Sequence, residues 1–226
     1  MVRRVARSAY AFRVENETGF AMKIWGRNNS TNVRKVLWCA AELGLTYEHI
    51  PAGGAFGQVQ SPAYLALNPN GLVPCLEDEG LVLWESNAIV RYLARQYGAA
   101  PFAPGDPRAF AVADKWMDWT SLSFAGPFRD LFWNLVRVAP DQRDDAAMER
   151  GAHQCAELMR RADAALQGSP YLSGPDFGIG DIPLGCIAYA WFSLPIERPR
   201  LAALEAWYER IAARPAFRTG VMTGIS

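Results

Sequence analysis

The chain has 226 residues, of which half are hydrophobic and a fifth are charged, a composition typical of a globular protein with one or two domains. Its 23 basic and 23 acidic side chains balance, so its charge favours neither nucleic acid nor an anionic membrane as a partner. No apolar run reaches the ~20 residues that a membrane helix needs. Two histidines and four widely separated cysteines disfavour a zinc site or a Ser-His-Asp triad. We therefore expect reduced, buried thiols in a cytoplasmic protein without a metal.

Residues 1–21 form a basic segment that differs from the rest of the chain. They carry four arginines and no acidic residue before Glu15, a bias found in targeting peptides. They lack the apolar core of a secretory signal, and Met22 directly precedes a strand pattern. We expect a loosely ordered extension, such as an over-long translation start would give, with a transit peptide as the alternative.

The region that follows predicts a strand, a helix and a second strand. MKIW (22–25) is a short apolar run, and apolar residues then recur at helical spacing over 33–43. Gly44 follows as a helix stop, and TYEHI (46–50) alternates as a strand does. A loop rich in Gly and Pro leads to one or two predicted helical turns at 62–69.

The clearest hairpin of the chain lies at 72–84. Its two apolar runs flank the turn sequence Asp78-Glu79-Gly80. Ser86 is a suitable N-cap for the next helix, which stops at Gly98. Together these elements predict a small α/β domain over residues 22–98.

The second half of the chain is predicted to be helical throughout. A linker rich in Ala, Pro and Gly spans 99–107. Four helical patterns follow, and the third is apolar on all sides, which predicts a buried central helix. They lie at about 106–137, 141–167, 181–192 and 199–214. We therefore expect an all-α domain over residues 108–226.

Val73-Pro74 stands where the third strand is predicted to begin. Proline donates no hydrogen bond to a β-ladder, so its place inside a strand pattern is unusual. One explanation is that the strand lies at a sheet edge. Another is a cis proline that leaves the neighbouring backbone groups free to bind an extended peptide.

Glu85 and Ser86 stand where a strand meets the start of a helix. They can be helix caps only. Alternatively, they form an anion site, because a helix N-terminus offers free N–H groups and partial positive charge. Ser86 would then bind a substrate carboxylate and Glu85 an ammonium beside it, a pairing that suits an α-amino acid.

Ser30, Thr31 and Asn32 open the first predicted helix, and as caps they need no further role. Alternatively, a hydroxyl here donates a hydrogen bond to a bound thiolate, because helix N-termini lower the ordinary thiol pKa of ~8.5. Lowering that pKa by two units requires about 2.7 kcal/mol. One charge-assisted hydrogen bond and a helix terminus can supply that amount.

Aromatic residues are concentrated at 116–133, in the first helical pattern of the second half. Most are expected to lie in the core or in an interface between subunits. A minority would line an apolar pocket between the two domains, where ligand pockets tend to form. We select Trp116 and Phe124 as candidates for that pocket.

The order of these elements, together with four stretches, resembles the soluble glutathione transferases, in particular the bacterial theta-like, serine-type members. The resemblance covers about residues 22–217. The stretches are SxNxRKVLWCAAELGLTYE (30–48), LNPNGLVPCLED (67–78), LVLWESNAIVRYLARQYG (81–98) and GIGDIPLG (178–185).

The resemblance implies a thioredoxin-like N-terminal domain, a cis proline at Pro74 and a homodimer. It implies that glutathione is the co-substrate, with the Val73 backbone on its cysteinyl group and Glu85 and Ser86 on its γ-glutamyl end. Ser30 falls where serine-type members carry the residue that activates the thiol. Asn32 is the rival, since some bacterial-type members use an asparagine at this helix start.

The chain also departs from the family pattern. It has no tyrosine at the start of its first loop and no cysteine at 28–32, which disfavours tyrosine-type and cysteine-type members. Gly178 stands where the capping motif of the family usually has Ser or Thr, although Asp181 can still reach back to an amide. Leu72 replaces a residue that is often polar, so one contact to glutathione is expected to be missing.

Three functions are compatible with these residues. The first is a glutathione S-transferase that adds the glutathione thiolate to small apolar electrophiles. The second is a glutathione-binding protein with little turnover. The third is glutathione-dependent reduction of disulfides or peroxides, which needs no protein cysteine if two glutathione molecules act as the reductant.

Overall fold

The computed structural model describes residues 22–225, so the expected extension at 1–21 lies outside the described residues. Four strands are β1 Met22–Trp25, β2 Glu48–Ile50, β3 Cys75–Asp78 and β4 Leu81–Trp84. Within the described residues there are eight α-helices. They are α1 Thr31–Glu42, α2 Pro62–Leu67, α3 Ser86–Tyr97, α4 Pro107–Phe132, α5 Asp145–Leu166, α6 Asp181–Ser193, α7 Ala202–Ala212 and α8 Pro215–Gly220.

The strands form one mixed sheet in the order β2-β1-β3-β4. Strand β1 pairs parallel with β2 and antiparallel with β3, and β3 pairs antiparallel with β4. Helices α1 and α3 pack against each other, and every element from α4 onward is helical or irregular. The fold is thus a thioredoxin-like α/β domain followed by an all-α domain, as the sequence predicts.

The hairpin confirms one expectation and changes another. Glu79 and Gly80 have φ of 47° and 88° and join the pair Asp78–Leu81, so the turn is the two-residue type with positive φ at both central positions. Strand β3 begins at Cys75, three residues later than the apolar run suggests. Because β3 lies between β1 and β4, the edge-strand explanation for Pro74 is wrong.

Helix α1 forms the junction between the domains. All residues from 33 to 40 are buried, on every side of the helix. The ring of Trp38 packs against Phe177 and Phe217, with centroid distances of 5.2 and 4.7 Å. Glu42 accepts two hydrogen bonds from Arg214, at 2.6 and 2.8 Å, which ties the end of α1 to the last helices.

The start of α1 is tied to the C-terminal segment. Arg34 is fully buried and donates to the carbonyl of Asn28 at 3.0 Å and to the carbonyl of Gly224. The hydroxyl of Thr223 donates to the same Asn28 carbonyl at 3.0 Å. The loop that leads into α1 is therefore fixed by residues almost 200 positions away in the sequence.

Asp181 organises the loop before the buried helix α6. It is fully buried, and its carboxylate accepts from the N–H groups of Leu172 and Gly178 and from Trp207 Nε1, at 2.8, 3.1 and 2.9 Å. The expected reach of Asp181 back to an amide is confirmed. The hydroxyl that Gly178 lacks is supplied by Ser173, which accepts from the Gly180 N–H at 3.1 Å.

The last helix, α8, is absent from the sequence-based prediction. Pro215 is expected to end the preceding helix, and it does follow the end of α7. It also occupies the first position of α8, where proline needs no hydrogen-bond donor and its fixed φ suits a helix.

Within residues 22–225, no helix combines the length and hydropathy that a membrane crossing requires.

Two glycine-to-alanine changes test the packing around Trp38. A Cβ on Gly185 would lie 2.5 Å from the Trp38 ring, whereas a Cβ on Gly105, in the linker before α4, would meet nothing within 4 Å. Gly185→Ala should lower the free energy of unfolding by about 1–3 kcal/mol through overpacking. Gly105→Ala should raise it by up to about 1 kcal/mol, because alanine restricts the unfolded chain more than glycine does. Urea denaturation measures both, and an equal effect of the two changes would contradict the packing described.

Candidate active site

The N-terminus of α1 is left without a side-chain cap. Ser30 is the N-cap residue by its backbone, with φ −85° and ψ 125°, but its side chain makes no capping hydrogen bond. Its carbonyl accepts the first helical hydrogen bond, from the Arg34 N–H at 2.9 Å. The expected side-chain cap is therefore not formed, and the Ser30 hydroxyl and the first N–H groups of α1 stay available to a ligand.

The N-terminus of α3 is also uncapped. Ser86 is the first helical residue and not the N-cap, which corrects the sequence-based prediction. The N-cap is Glu85, whose φ of 72° and ψ of 110° are rare for a residue with a side chain, and it makes no capping bond. Such backbone strain costs about 1–3 kcal/mol and is concentrated at functional sites. Glu85 and Ser86 both line the same two cavities.

The two helix N-termini meet through their side chains. The buried Ser86 hydroxyl donates to Oδ1 of Asn32, in the first turn of α1, at 3.4 Å. Neither helix has an acidic residue in its first turn. The partial positive charges of two helix termini therefore add in one region, which favours an anion there.

The segment before β3 lies beside this junction. Val73-Pro74 is a cis peptide bond, as the resemblance implies. The carbonyl of Leu72 accepts from the Tyr64 hydroxyl at 2.6 Å and from Asn68 Nδ2 at 2.8 Å, which fixes the loop. The Val73 N–H and C=O have no hydrogen-bond partner among the described residues. They can therefore pair with the backbone of a bound peptide.

Two adjoining cavities share Asn32, Glu85 and Ser86. The smaller one, about 50 Å³, also includes Val73 and Pro74. The larger one, about 790 Å³, extends between α1, α3 and α4 and reaches Phe124. The structure thus brings together six of the eight residues that the sequence selects. Ser30 immediately precedes the lining residues Thr31 and Asn32, and Trp116 packs edge-to-face on Trp119 instead.

Sequence reasoning misses several residues of the larger cavity. Lys35, Asn87, Thr120 and Ser121 line it, and the first three are buried. Burial lowers the pKa of Lys35 to about 8. No local pattern marks these residues, because they become part of a site only when α4 packs across α1 and α3.

The protein's own thiols are unsuited to catalysis. Cys39, Cys75, Cys155 and Cys186 are free and buried, and burial raises the pKa of each thiol. A thiol with a raised pKa is a poor nucleophile at neutral pH. Within residues 22–225 there is also no group of His, Cys, Asp or Glu side chains arranged to hold a metal ion.

Comparisons with known proteins agree with this geometry. Residues 20–95 match the family model described as glutathione S-transferase, N-terminal domain. Glutathione S-transferase GstB of Escherichia coli (strain K12) is 44% identical over 205 residues, which are 90% of this chain and 99% of that protein. The chain belongs to the glutathione S-transferase family.

Further glutathione S-transferases resemble the chain over both domains. Glutathione S-transferase 3 of Zea mays is 34% identical over 210 residues, 88% of this chain and 93% of the relative. The theta class glutathione S-transferase of Xanthomonas axonopodis pv. citri, solved with glutathione bound, matches with a TM-score of 0.89 and 58% identity. That match covers 92% of this chain and 100% of the other, so the likeness includes the helical domain.

A pair of substitutions tests the backbone strain at Glu85. Glycine adopts positive φ without the steric cost that a Cβ imposes. Glu85→Gly should therefore be more stable than Glu85→Ala by about 1 kcal/mol, the reverse of the usual order. Urea denaturation of the two variants, which both lack the carboxylate, gives the difference. An alanine variant as stable as the glycine variant would contradict the strain described.

Proposed function

We propose that this protein is a glutathione S-transferase that joins the glutathione thiolate to small apolar electrophiles. The observation that carries the proposal is the junction of two uncapped helix N-termini beside the unpaired Val73 backbone. A tripeptide with an anionic end and an extended backbone satisfies both parts of that junction.

Glutathione binding follows from the groups at the junction. The Val73 N–H and C=O pair with the cysteinyl backbone. The γ-glutamyl carboxylate accepts from the free N–H groups of α3 and from the Ser86 hydroxyl, which turns to it from Asn32 Oδ1 on binding. The exposed Glu85 carboxylate binds the ammonium beside it. This binding holds the sulfur near the start of α1.

Ser30 activates the thiol. Its hydroxyl, which the helix does not use, donates a hydrogen bond to the thiolate, while the α1 N-terminus adds partial positive charge. The thiol proton leaves to solvent. The sulfur electron pair then forms a bond to an electrophilic carbon, and the leaving group departs with its own electron pair.

Asn32 is the rival for this role. Its Oδ1 accepts from Ser86, which leaves the Nδ2 group of the same amide free to donate. We assign Ser30 the direct contact with sulfur and Asn32 an assisting role at the γ-glutamyl side. Substitution of each residue separates the two roles.

The electrophile binds in the apolar part of the larger cavity. Phe124, Phe128 and Ile187 line that part. Trp116 is not among its lining residues, so in our proposal it supports the wall through Trp119, which packs on Phe124 with ring centroids 5.5 Å apart. An apolar wall beside an ionised sulfur suits small apolar electrophiles.

The proposal includes a cytoplasmic homodimer that acts in detoxification. In this proposal the second copy covers Phe56 and Leu122, large apolar side chains that are 54% and 80% exposed. Four reduced, buried cysteines suit the cytoplasm. The membership of the family supports the same assignments.

Alanine substitutions at the start of α1 test the mechanism. Ser30→Ala should raise the thiol pKa of bound glutathione by about 1–2 units and lower kcat/KM about 10–100-fold, because a charge-assisted hydrogen bond is lost. Asn32→Ala should mainly weaken glutathione binding. The ultraviolet absorbance of the bound thiolate, measured against pH, gives the thiol pKa.

Thr31→Ala is the matched control, since it removes a neighbouring hydroxyl and should leave that thiol pKa unchanged. If neither Ser30→Ala nor Asn32→Ala raises the thiol pKa, the mechanism is wrong. Turnover of disulfides or peroxides in place of electrophiles would support the reductase alternative. Binding of glutathione without any turnover would support the binding-protein alternative.

A further inference from the structure

Lys35 lies one turn into α1 and is only 4% exposed. Its Nζ lies 3.5 Å from Ser86 Oγ and 3.5 Å from Ser121 Oγ, distances at the outer limit of a hydrogen bond. Within residues 22–225, no carboxylate lies within ion-pair distance of this ammonium. A buried positive charge is therefore held by two long hydroxyl contacts.

A buried cation of this kind destabilises the folded state unless an anion pairs with it. Burial is the main reason why the pKa of Lys35 falls to about 8. The titratable groups that face Lys35 are Glu85, ahead of α3, and Cys186, on α6. Glu85 is exposed to solvent, and the Cys186 thiol is neutral because burial raises its pKa to about 12. Neither group supplies a buried negative charge at neutral pH.

The cavity beside Lys35 has the other features of an anion site. The buried Thr120 hydroxyl in its wall has no hydrogen-bond partner in the described part of the chain, so it can donate to an anion. The acidic side chain Asp118, also in the wall, is already paired with Arg91. The uncapped N-termini of α1 and α3 add positive potential from the same direction.

We propose that Lys35 is a positioning residue that acts through Ser86 and serves as the counter-ion of the γ-glutamyl α-carboxylate. This proposal rests on the glutathione site proposed above. The Lys35 ammonium donates to Ser86 Oγ, so the Ser86 O–H points away from Lys35. In the free protein this O–H donates to Asn32 Oδ1, and on binding it turns to the ligand carboxylate. The charge behind the hydroxyl strengthens that hydrogen bond.

Two consequences follow from this arrangement. The site distinguishes a ligand with an α-carboxylate from one without it, because only the carboxylate neutralises Lys35. Binding is also coupled to a proton. The free protein loses the Lys35 proton as the pH rises through about 8, whereas the carboxylate of the ligand holds that proton in place. Carboxylate binding therefore takes up protons near and above pH 8.

Two ligands and one substitution test the proposal. The ligands are S-methylglutathione, whose blocked sulfur cannot titrate, and its 4-aminobutyryl analogue, which lacks only the α-carboxylate. At pH 7, Lys35→Met should weaken S-methylglutathione binding by about tenfold or more and the analogue by less than about twofold. Isothermal titration calorimetry measures both dissociation constants. Lys115→Met, the same change at an exposed lysine of α4, is the control and should alter neither.

The stability of the variant separates positioning from a structural role. Because Lys35→Met removes an unpaired buried charge, the unliganded variant should unfold at the same or higher urea concentration than the wild type. Equal weakening of the two ligands, or no weakening of either, would overturn the proposal. If wild-type protein bound neither S-methylglutathione nor glutathione, the proposed function itself would fail, which is a different result.

A measurement on the wild type covers the case in which Lys35→Met does not fold. Calorimetry at pH 8.5 in buffers of different ionisation enthalpy gives the number of protons taken up on binding. Binding of S-methylglutathione should take up more protons than binding of the 4-aminobutyryl analogue, because only the α-carboxylate holds the proton on Lys35, while the ammonium of each ligand is mostly charged at this pH. Equal uptake by the two ligands would overturn the proposal.

Discussion

The enclosure of α1 is the constraint on which the rest of the structure depends. The helix packs on α3 within the first domain and on α6 and α8 of the second, so residues 33–40 are buried on every side. Its end is held by Arg214 and its start by Arg34, through the Asn28 carbonyl. Because both ends are fixed, the first turn of α1 is held in a defined position without a side-chain cap.

The uncapped start of α1 forms a candidate site only together with the uncapped start of α3. A helix that needed stability alone would be expected to use Ser30 and Ser86 as caps, since a capping side chain contributes about 1 kcal/mol. Neither residue caps its helix, and Glu85 is held at positive φ. Tertiary packing supplies the stability that the two helix termini give up. The freed hydroxyls and N–H groups are then directed at one place, where the anionic end of a tripeptide fits.

Much of this architecture is predictable from local sequence. The strand MKIW, the Gly44 stop, the hairpin and the apolar pattern of α6 each depend on residues close together in the chain. The Val73-Pro74 and Glu85-Ser86 pairs indicate the site for the same reason. Each of these features depends on particular residue types at short, fixed spacings, so it can be recognised in the sequence.

The remaining features depend on contacts that local patterns do not encode. No local pattern marks Lys35 as buried, and its contacts with Ser86 and Ser121 come from other helices. Ser86 is predicted to be an N-cap, but the strained Glu85 takes that position. Whether Trp116 or Phe124 faces the cavity depends on the rotation of α4 against the first domain. In each case the deciding contact comes from a residue at least 30 positions away or from a backbone conformation that no side chain signals.

A crystal structure of the protein with glutathione would show whether the two uncapped helix N-termini form one site for the tripeptide. We expect the γ-glutamyl carboxylate on the Ser86 hydroxyl and the α3 N–H groups, the cysteinyl backbone paired with Val73, and the sulfur within hydrogen-bond distance of Ser30 Oγ. A tripeptide bound away from the α1 and α3 N-termini would contradict this expectation, as would a sulfur that contacts neither Ser30 nor Asn32.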